Sequence, residues 1–242
     1  MSRLLVVSNR LPVTATRVDG GLVLEASAGG LATGLAGPHA DGDGLWIGWP
    51  GPTWSLDDAQ RAELDATLRA RRFEPVHLGE DDLRRYYESF SNGLLWPLFH
   101  YLLDQVPLRA DDWEAYARVN REFAERVASV YRPGDRIWVH DYQLLLVPQL
   151  LRERLPDARI GFFLHIPFPA SAVLRALPRR EELLRGLLGA DLVGFHTPSY
   201  VRHFASALLR ILGLETRVDR VAFAGREVRV RNGRLELMDG TL

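Results

Sequence analysis

Residues 136–165 read RIWVHDYQLLLVPQLLRERLPDARIGFFLH, and this stretch decides the fold. Residues 136–140 and 159–165 are short apolar runs of the length and kind that form buried strands. Residues 143–154 between them carry apolar side chains at helical spacing with a charged face, and Leu155-Pro156-Asp157 ends that helix before the second run begins. A strand, a helix and a parallel strand make the right-handed crossover that builds α/β sheets. Working outward, apolar runs recur at residues 4–7, 45–49 and 191–196, with amphipathic helical stretches at 56–71, 111–131 and 199–212. Pro133-Gly134-Asp135 closes the second of these helices. The pattern predicts a doubly wound, mostly parallel, Rossmann-like α/β sheet. Residues 218–242 alternate in a way that predicts hairpins, a β tail that fits the α/β pattern least well. With no internal repeat or low-complexity linker, residues 1–242 read as a single domain.

Composition narrows the function. Of 242 residues, 47% are hydrophobic, enough to bury a core, and the net charge of -1 provides no positive field for nucleic acid or anionic membrane. Small polar ligands are the expected partners. The basic residues are all arginine, so a phosphate would be gripped by a guanidinium fork, and lysine Schiff-base chemistry is excluded. Without cysteine there is no disulfide, thiolate metal site or thiol nucleophile. The apolar run at residues 4–7 is too short for a signal peptide core, and no stretch approaches the roughly 20 apolar residues of a membrane helix. A soluble, cytoplasmic protein is expected.

In a doubly wound sheet, ligands gather at the carboxyl ends of the strands. Here those ends carry Ser8-Asn9-Arg10, His140-Asp141, His165 and His196-Thr197. Arg10, just past a buried strand, can reach a phosphate with two parallel hydrogen bonds, or form a surface ion pair. Gly29-Gly30-Leu31-Ala32-Thr33-Gly34 opens a helix where free amides favour an anion; a tight turn with close helix packing explains the glycines equally well. Residues between it and the first strand read as a loop of polar and small residues, so the dinucleotide-binding fingerprint is absent. The aromatic block at residues 86–101 reads as core, although tyrosine and tryptophan can also wall a sugar pocket. Asp141 and His165 are the groups able to act on hydroxyls, against the alternative of a helix-capping aspartate and a satisfied turn histidine. No G-x-S-x-G elbow and no tight histidine spacing for a metal is present.

Several runs in order resemble the trehalose-6-phosphate synthase family. They are residues 6–12 (VVSNRLP), Gly29-Gly30-Leu31, residues 45–49 (LWIGW), the block at 86–101, residues 138–144 (WVHDYQL), 161–169 (GFFLHIPFP) and 191–197 (DLVGFHT). The resemblance covers roughly the first 215 residues. It implies the N-terminal half of a GT-B glycosyltransferase, which passes glucose, with retained configuration, from a nucleoside diphosphate to glucose 6-phosphate. It further implies that Arg10 grips the acceptor phosphate and that Trp46, Tyr87 and Trp96 shape the acceptor pocket. Asp141 would bond acceptor hydroxyls, Gly30 would approach the donor diphosphate and His165 would contact the donor sugar, with Asp141 and His165 nearest the reacting atoms. No metal or cofactor is implied, and the donor is expected to be UDP-glucose. The family's crossing segment, a Pro-Ile-Gly run followed by an acidic residue, does not follow Val228-Arg229-Val230, so the nucleotide-sugar domain is expected to be absent and its uncovered face to drive self-association. Two rivals stay open: a non-catalytic sugar-phosphate-binding module or subunit of a split enzyme, and a relative acting on a cyclitol or other polyol phosphate.

Overall fold

In the computed structural model the first strand, β1 (Leu4–Arg10), is buried on both faces: Leu5 and Val7 enter one apolar cluster and Val6 enters another. Side chains alternate across a strand, so this division means that the sheet is covered on both sides. The structure describes residues 2–18, 21–27, 29–107, 112–214, 220–223, 226–231 and 234–237.

After β1 come a hairpin of β2 (Val13–Val18) and β3 (Gly21–Ala26), then α1 (Gly30–Asp41), β4 (Leu45–Trp49), α2 (Asp58–Ala70) and β5 (Phe73–Pro75). A helical segment follows, made of α3 (Glu80–Asp82), a π-helical stretch (Leu83–Leu95) and α4 (Trp96–Phe99). The remaining elements are α5 (Trp113–Val130), β6 (Arg136–His140), α6 (Val147–Arg154), β7 (Arg159–Leu164), α7 (Ser171–Leu174), α8 (Arg180–Leu187), β8 (Leu192–Phe195) and α9 (Pro198–Leu212). A three-stranded antiparallel sheet of β9 (Arg220–Phe223), β10 (Arg226–Arg231) and β11 (Arg234–Leu237) ends the described chain.

The main sheet has the order β5-β4-β1-β6-β7-β8, and every neighbouring pair is parallel. The chain therefore steps outward from β1 to β5, returns to the middle, and steps outward again from β6 to β8. This is the doubly wound order of Rossmann folds, and its switch point lies between β1 and β6. On one face α5, α6, α8 and the π-helical stretch cover the larger cluster, with Tyr116, Phe123, Leu151 and Leu184 fully buried. On the other, Leu64 and Leu68 of α2, Leu31 and Leu35 of α1, and Val13 and Leu24 of the hairpin close over Val6 and Trp46. The start of α2 is fixed by a capping box, Asp57 accepting from the Gln60 amide and Gln60 accepting from the Asp57 amide. At the opposite rim Arg3, half-buried, and Asp135, buried, form a two-point ion pair that ties β1 to the entry of β6. Among the described residues no helix is long and apolar enough to cross a membrane.

One expectation is corrected and one strand is added. The stretch read as a polar loop after β1 is the β2–β3 hairpin, with Asp19-Gly20 between two runs of alternating side chains. Strand β5 was not foreseen; at three residues it is too short to show periodicity, and its Pro75 is tolerated because β5 is an edge strand. The tail folds as expected into hairpins: β9 with β10 and β10 with β11 pair antiparallel, which makes a three-stranded sheet. Strand bounds at residues 45–49 and 136–140 agree with the sequence reading. Gly48 is required where β4 passes the irregular end of β1: a Cβ there would lie 2.8 Å from the Leu11 amide nitrogen.

Candidate active site

Because the switch point falls between β1 and β6, Arg10 and Asp141 are brought to the two sides of one crevice. Two cavities open there, of about 500 and about 750 Å³, and they share Gly29, Leu31, His140 and Asp141 as lining. Arg10, Trp46 and Tyr87 line the first; Gly30 and His165 line the second. The residues expected on the acceptor and donor sides therefore segregate into adjoining halves of one cleft. Trp96 is the exception: it borders neither cavity, and its ring faces His100, with centroids 4.2 Å apart on the surface of α4.

The end of β1 is held rigidly. The Trp46 indole N–H donates to Ser8 Oγ at 2.7 Å, and that hydroxyl donates to the Arg10 carbonyl at 2.7 Å. Trp46 is 1% exposed and its single polar atom is already used, so it supports the pocket floor and offers a ligand no polar group. Asn9, also buried, accepts from the Tyr86 hydroxyl at 2.8 Å, which turns its amide nitrogen away from that bond; no described residue accepts from it. Burial pushes the Tyr86 hydroxyl far above its ordinary pKa, so this donor stays protonated. Arg10 is exposed and forms no ion pair with the described residues. Its guanidinium carbon lies 4.8 Å from the Trp49 ring centroid and 5.6 Å from that of Tyr87. A cation held between ring faces keeps its N–H edge free for an anion.

Asp141 carries the most unusual backbone of the cleft, with φ 74° and ψ 170°, a region that glycine alone enters without strain. The strain is held by three hydrogen bonds: its amide donates to the Phe163 carbonyl, and its Oδ1 accepts from the amides of Tyr142 and His165. Its Oδ2 has no partner among the described residues. Burial pushes the carboxyl up to about 6, against the pull of the two amides and of His196 and His100. At neutral pH it is a carboxylate on a residue that lines both cavities, suited to accept from hydroxyls.

The second cavity has a different chemistry. Gly30 starts α1, and a Cβ on Gly29, Gly30 or Gly34 would meet nothing within 4 Å, so close packing does not explain these glycines. The first-turn amides up to that of Thr33, which donates to the Gly29 carbonyl, have no intrahelical acceptor, and no acidic residue occupies the turn. Such a helix start favours an anion. His140 and His165 face each other across adjacent strand ends, Nδ1 of the first 3.0 Å from Nε2 of the second. Burial, with the neighbouring His165, lowers His140 to about 3; burial, with His196, lowers His165 to about 4. Both rings are neutral at physiological pH.

Residues that the sequence reading did not assign also line the cleft. Thr14, Glu25 and Ser27 come from the hairpin, and Thr14 and Ser27 share a hydrogen bond of 2.8 Å. Gln143, Trp138 and Phe163 complete the walls. The hairpin set could have been found from Asp19-Gly20; Asn9 was visible as a polar group at a strand end, but its Tyr86 partner was not. Among the described residues no three histidine, aspartate or glutamate side chains converge as a metal site.

The sequence profile of glycosyltransferase family 20 matches residues 2–234. An alpha,alpha-trehalose-phosphate synthase (UDP-forming) from Emericella nidulans is 46% identical over 235 residues, covering 93% of this chain and 45% of that protein. The N-terminal domain of trehalose-6-phosphate phosphatase from Candida albicans superposes with a TM-score of 0.75 at 35% identity, over 95% of this chain and 47% of that one. A UDP-forming synthase from Burkholderia xenovorans, solved in complex with glucose-6-phosphate, superposes with a TM-score of 0.70 at 32% identity, over 98% of this chain and 48% of that one. The chain thus spans about half the length of these relatives.

Proposed function

This chain belongs to glycosyltransferase family 20, and on that premise we propose that it forms the acceptor-binding side of a retaining trehalose-6-phosphate synthase. The first cavity takes glucose 6-phosphate, and the second takes the glucosyl diphosphate part of UDP-glucose. The observation that carries this reading is Arg10, a guanidinium braced by Trp49 and Tyr87 and free of any described carboxylate partner, at the mouth of a sugar-sized cavity. Its phosphate partner leaves the sugar hydroxyls within the same cavity as Asp141 and Asn9. The first-turn amides of α1 meet the diphosphate, and His165 meets the donor sugar. In the transfer, the bond from the donor's anomeric carbon to the diphosphate breaks, a bond to the acceptor's anomeric oxygen forms, and the acceptor proton leaves with the diphosphate. No side chain needs to be a nucleophile; the chain contributes orientation and electrostatic complementarity. A reaction that consumes a nucleotide sugar and a sugar phosphate is consistent with a cytoplasmic location.

A second reading is supported by the fold shared with the N-terminal domain of a protein named as a phosphatase: the domain binds a sugar phosphate without turnover. The test is UDP release from UDP-glucose, measured with and without glucose 6-phosphate. Release dependent on glucose 6-phosphate supports the transferase; saturable binding of glucose 6-phosphate without release supports the binding module; absence of both overturns the assignment of the first cavity.

A further inference from the structure

We propose that His140 is a positioning residue that locks His165 in a single tautomer, so that the cavity-facing nitrogen of His165 is a hydrogen-bonding group of fixed polarity. His140 borders both cavities, yet it is only 1% exposed, so its side chain has almost no surface to offer a ligand. What it touches is His165: a single N–H must lie between Nδ1 of His140 and Nε2 of His165, 3.0 Å apart. If His140 donates, His165 carries its own proton on Nδ1. If His165 donates, its Nδ1 is bare. The two rings are therefore always in the same tautomer, and one cannot change without the other.

Two observations make one state prevail. Nε2 of His140 is enclosed with no partner, so one arrangement buries an unmet N–H and the other an unmet lone pair, which differ in free energy. Burial holds both rings neutral at physiological pH, so no second proton enters the pair. Nδ1 of His165 has no hydrogen-bond partner among the described residues, and the ring lines the second cavity beside Gly30 and Trp138. A ligand group entering there meets a nitrogen that always donates or always accepts, which excludes a group of the same polarity, while a hydroxyl, able to do either, is turned to one orientation. Only the identity of that ligand rests on the reading of the cavity as a sugar site; the lock belongs to the free chain.

The test is long-range ¹H–¹⁵N correlation of the histidine rings in the ligand-free chain at neutral pH, with resonances assigned by single substitution of each histidine. His165 and His140 are expected to show one protonated and one bare nitrogen each, in matching tautomers. In His140→Phe the His165 nitrogens should shift to the averaged values of an interconverting ring, whereas His140→Asn, whose amide can still bond Nε2, should restore a single tautomer. Averaged His165 nitrogens in the unsubstituted chain, unlike tautomers in the two rings, or an unchanged His165 in His140→Phe would overturn the proposal. The first two outcomes need no variant, and none depends on whether a sugar binds.

Discussion

Replacing Asp141 by asparagine should make the protein more stable while impairing its cleft, and the size of the effect follows from the geometry. Burial raises the carboxyl from the ordinary 3.8 to about 6. Each pH unit corresponds to about 1.4 kcal/mol, so keeping the carboxylate charged costs the native state about 3 kcal/mol above pH 6. The sign is that of a folded pKa raised above its unfolded value: the native state binds the proton more tightly, so stability is lost as pH rises from 3.8 through 6. The substituted amide would keep an oxygen to accept from the Tyr142 and His165 amides, and the strained φ would remain, so the charge is the main difference. For a chain of this size each kcal/mol moves the midpoint by roughly 2–4 °C, which gives a rise of roughly 6–12 °C as an upper bound. Thermal melts followed by circular dichroism at pH 7.5 and pH 4 measure it. The gain should be largest at pH 7.5 and fall to about half a kcal/mol at pH 4, where the native carboxyl is already protonated. A melting point unchanged or lowered at pH 7.5, or raised equally at both pH values, would refute the account of Asp141 as a desolvated charge.

Other perturbations probe separate parts of the account. Tyr86→Phe removes the hydroxyl that orients Asn9 and should cost about 1–2 kcal/mol in urea unfolding, with weaker sugar-phosphate binding as Asn9 turns freely. Gly30→Ala meets no neighbour and favours the helix, so it should leave stability unchanged or raise it by up to about 1 kcal/mol while weakening anion binding in the second cavity; a large destabilisation would mean that the glycine serves packing. Phe162→Ala opens a cavity in the larger core cluster under β7 and should cost about 3–5 kcal/mol, with no change in the pH dependence assigned to Asp141.

How much of this was legible beforehand depends on the range of the interactions. The β6-α6-β7 unit could be read directly, because apolar runs, helical periodicity and Leu155-Pro156 are all local signals. Arg10 was legible for the same reason: it is the exposed polar residue that ends a buried strand. The hairpin was obscured because its alternation is weak, with small residues such as Ala15 facing inward and threonines beside them. The strain at Asp141 and the His140–His165 bond could not be read from sequence. They arise from the pairing of β6 with β7, which sets His140 against Phe163 and brings His165 up to the Asp141 carboxylate. Trp46 shows the same limit: it lines the pocket it was expected to shape, but its N–H bond to Ser8, a residue 38 positions away, could not be read from sequence.

The central claim is that the first cavity recognises a sugar through its phosphate, with Arg10 as the grip. Calorimetric titration of the chain with glucose 6-phosphate and with glucose, repeated on Arg10→Ala, tests it most directly. A charge-assisted hydrogen bond contributes about 1.5–3 kcal/mol, so the substitution should weaken glucose 6-phosphate at least roughly tenfold, and glucose should bind neither form measurably. Equal affinity for the two sugars, or a glucose 6-phosphate affinity untouched by the loss of Arg10, would contradict it.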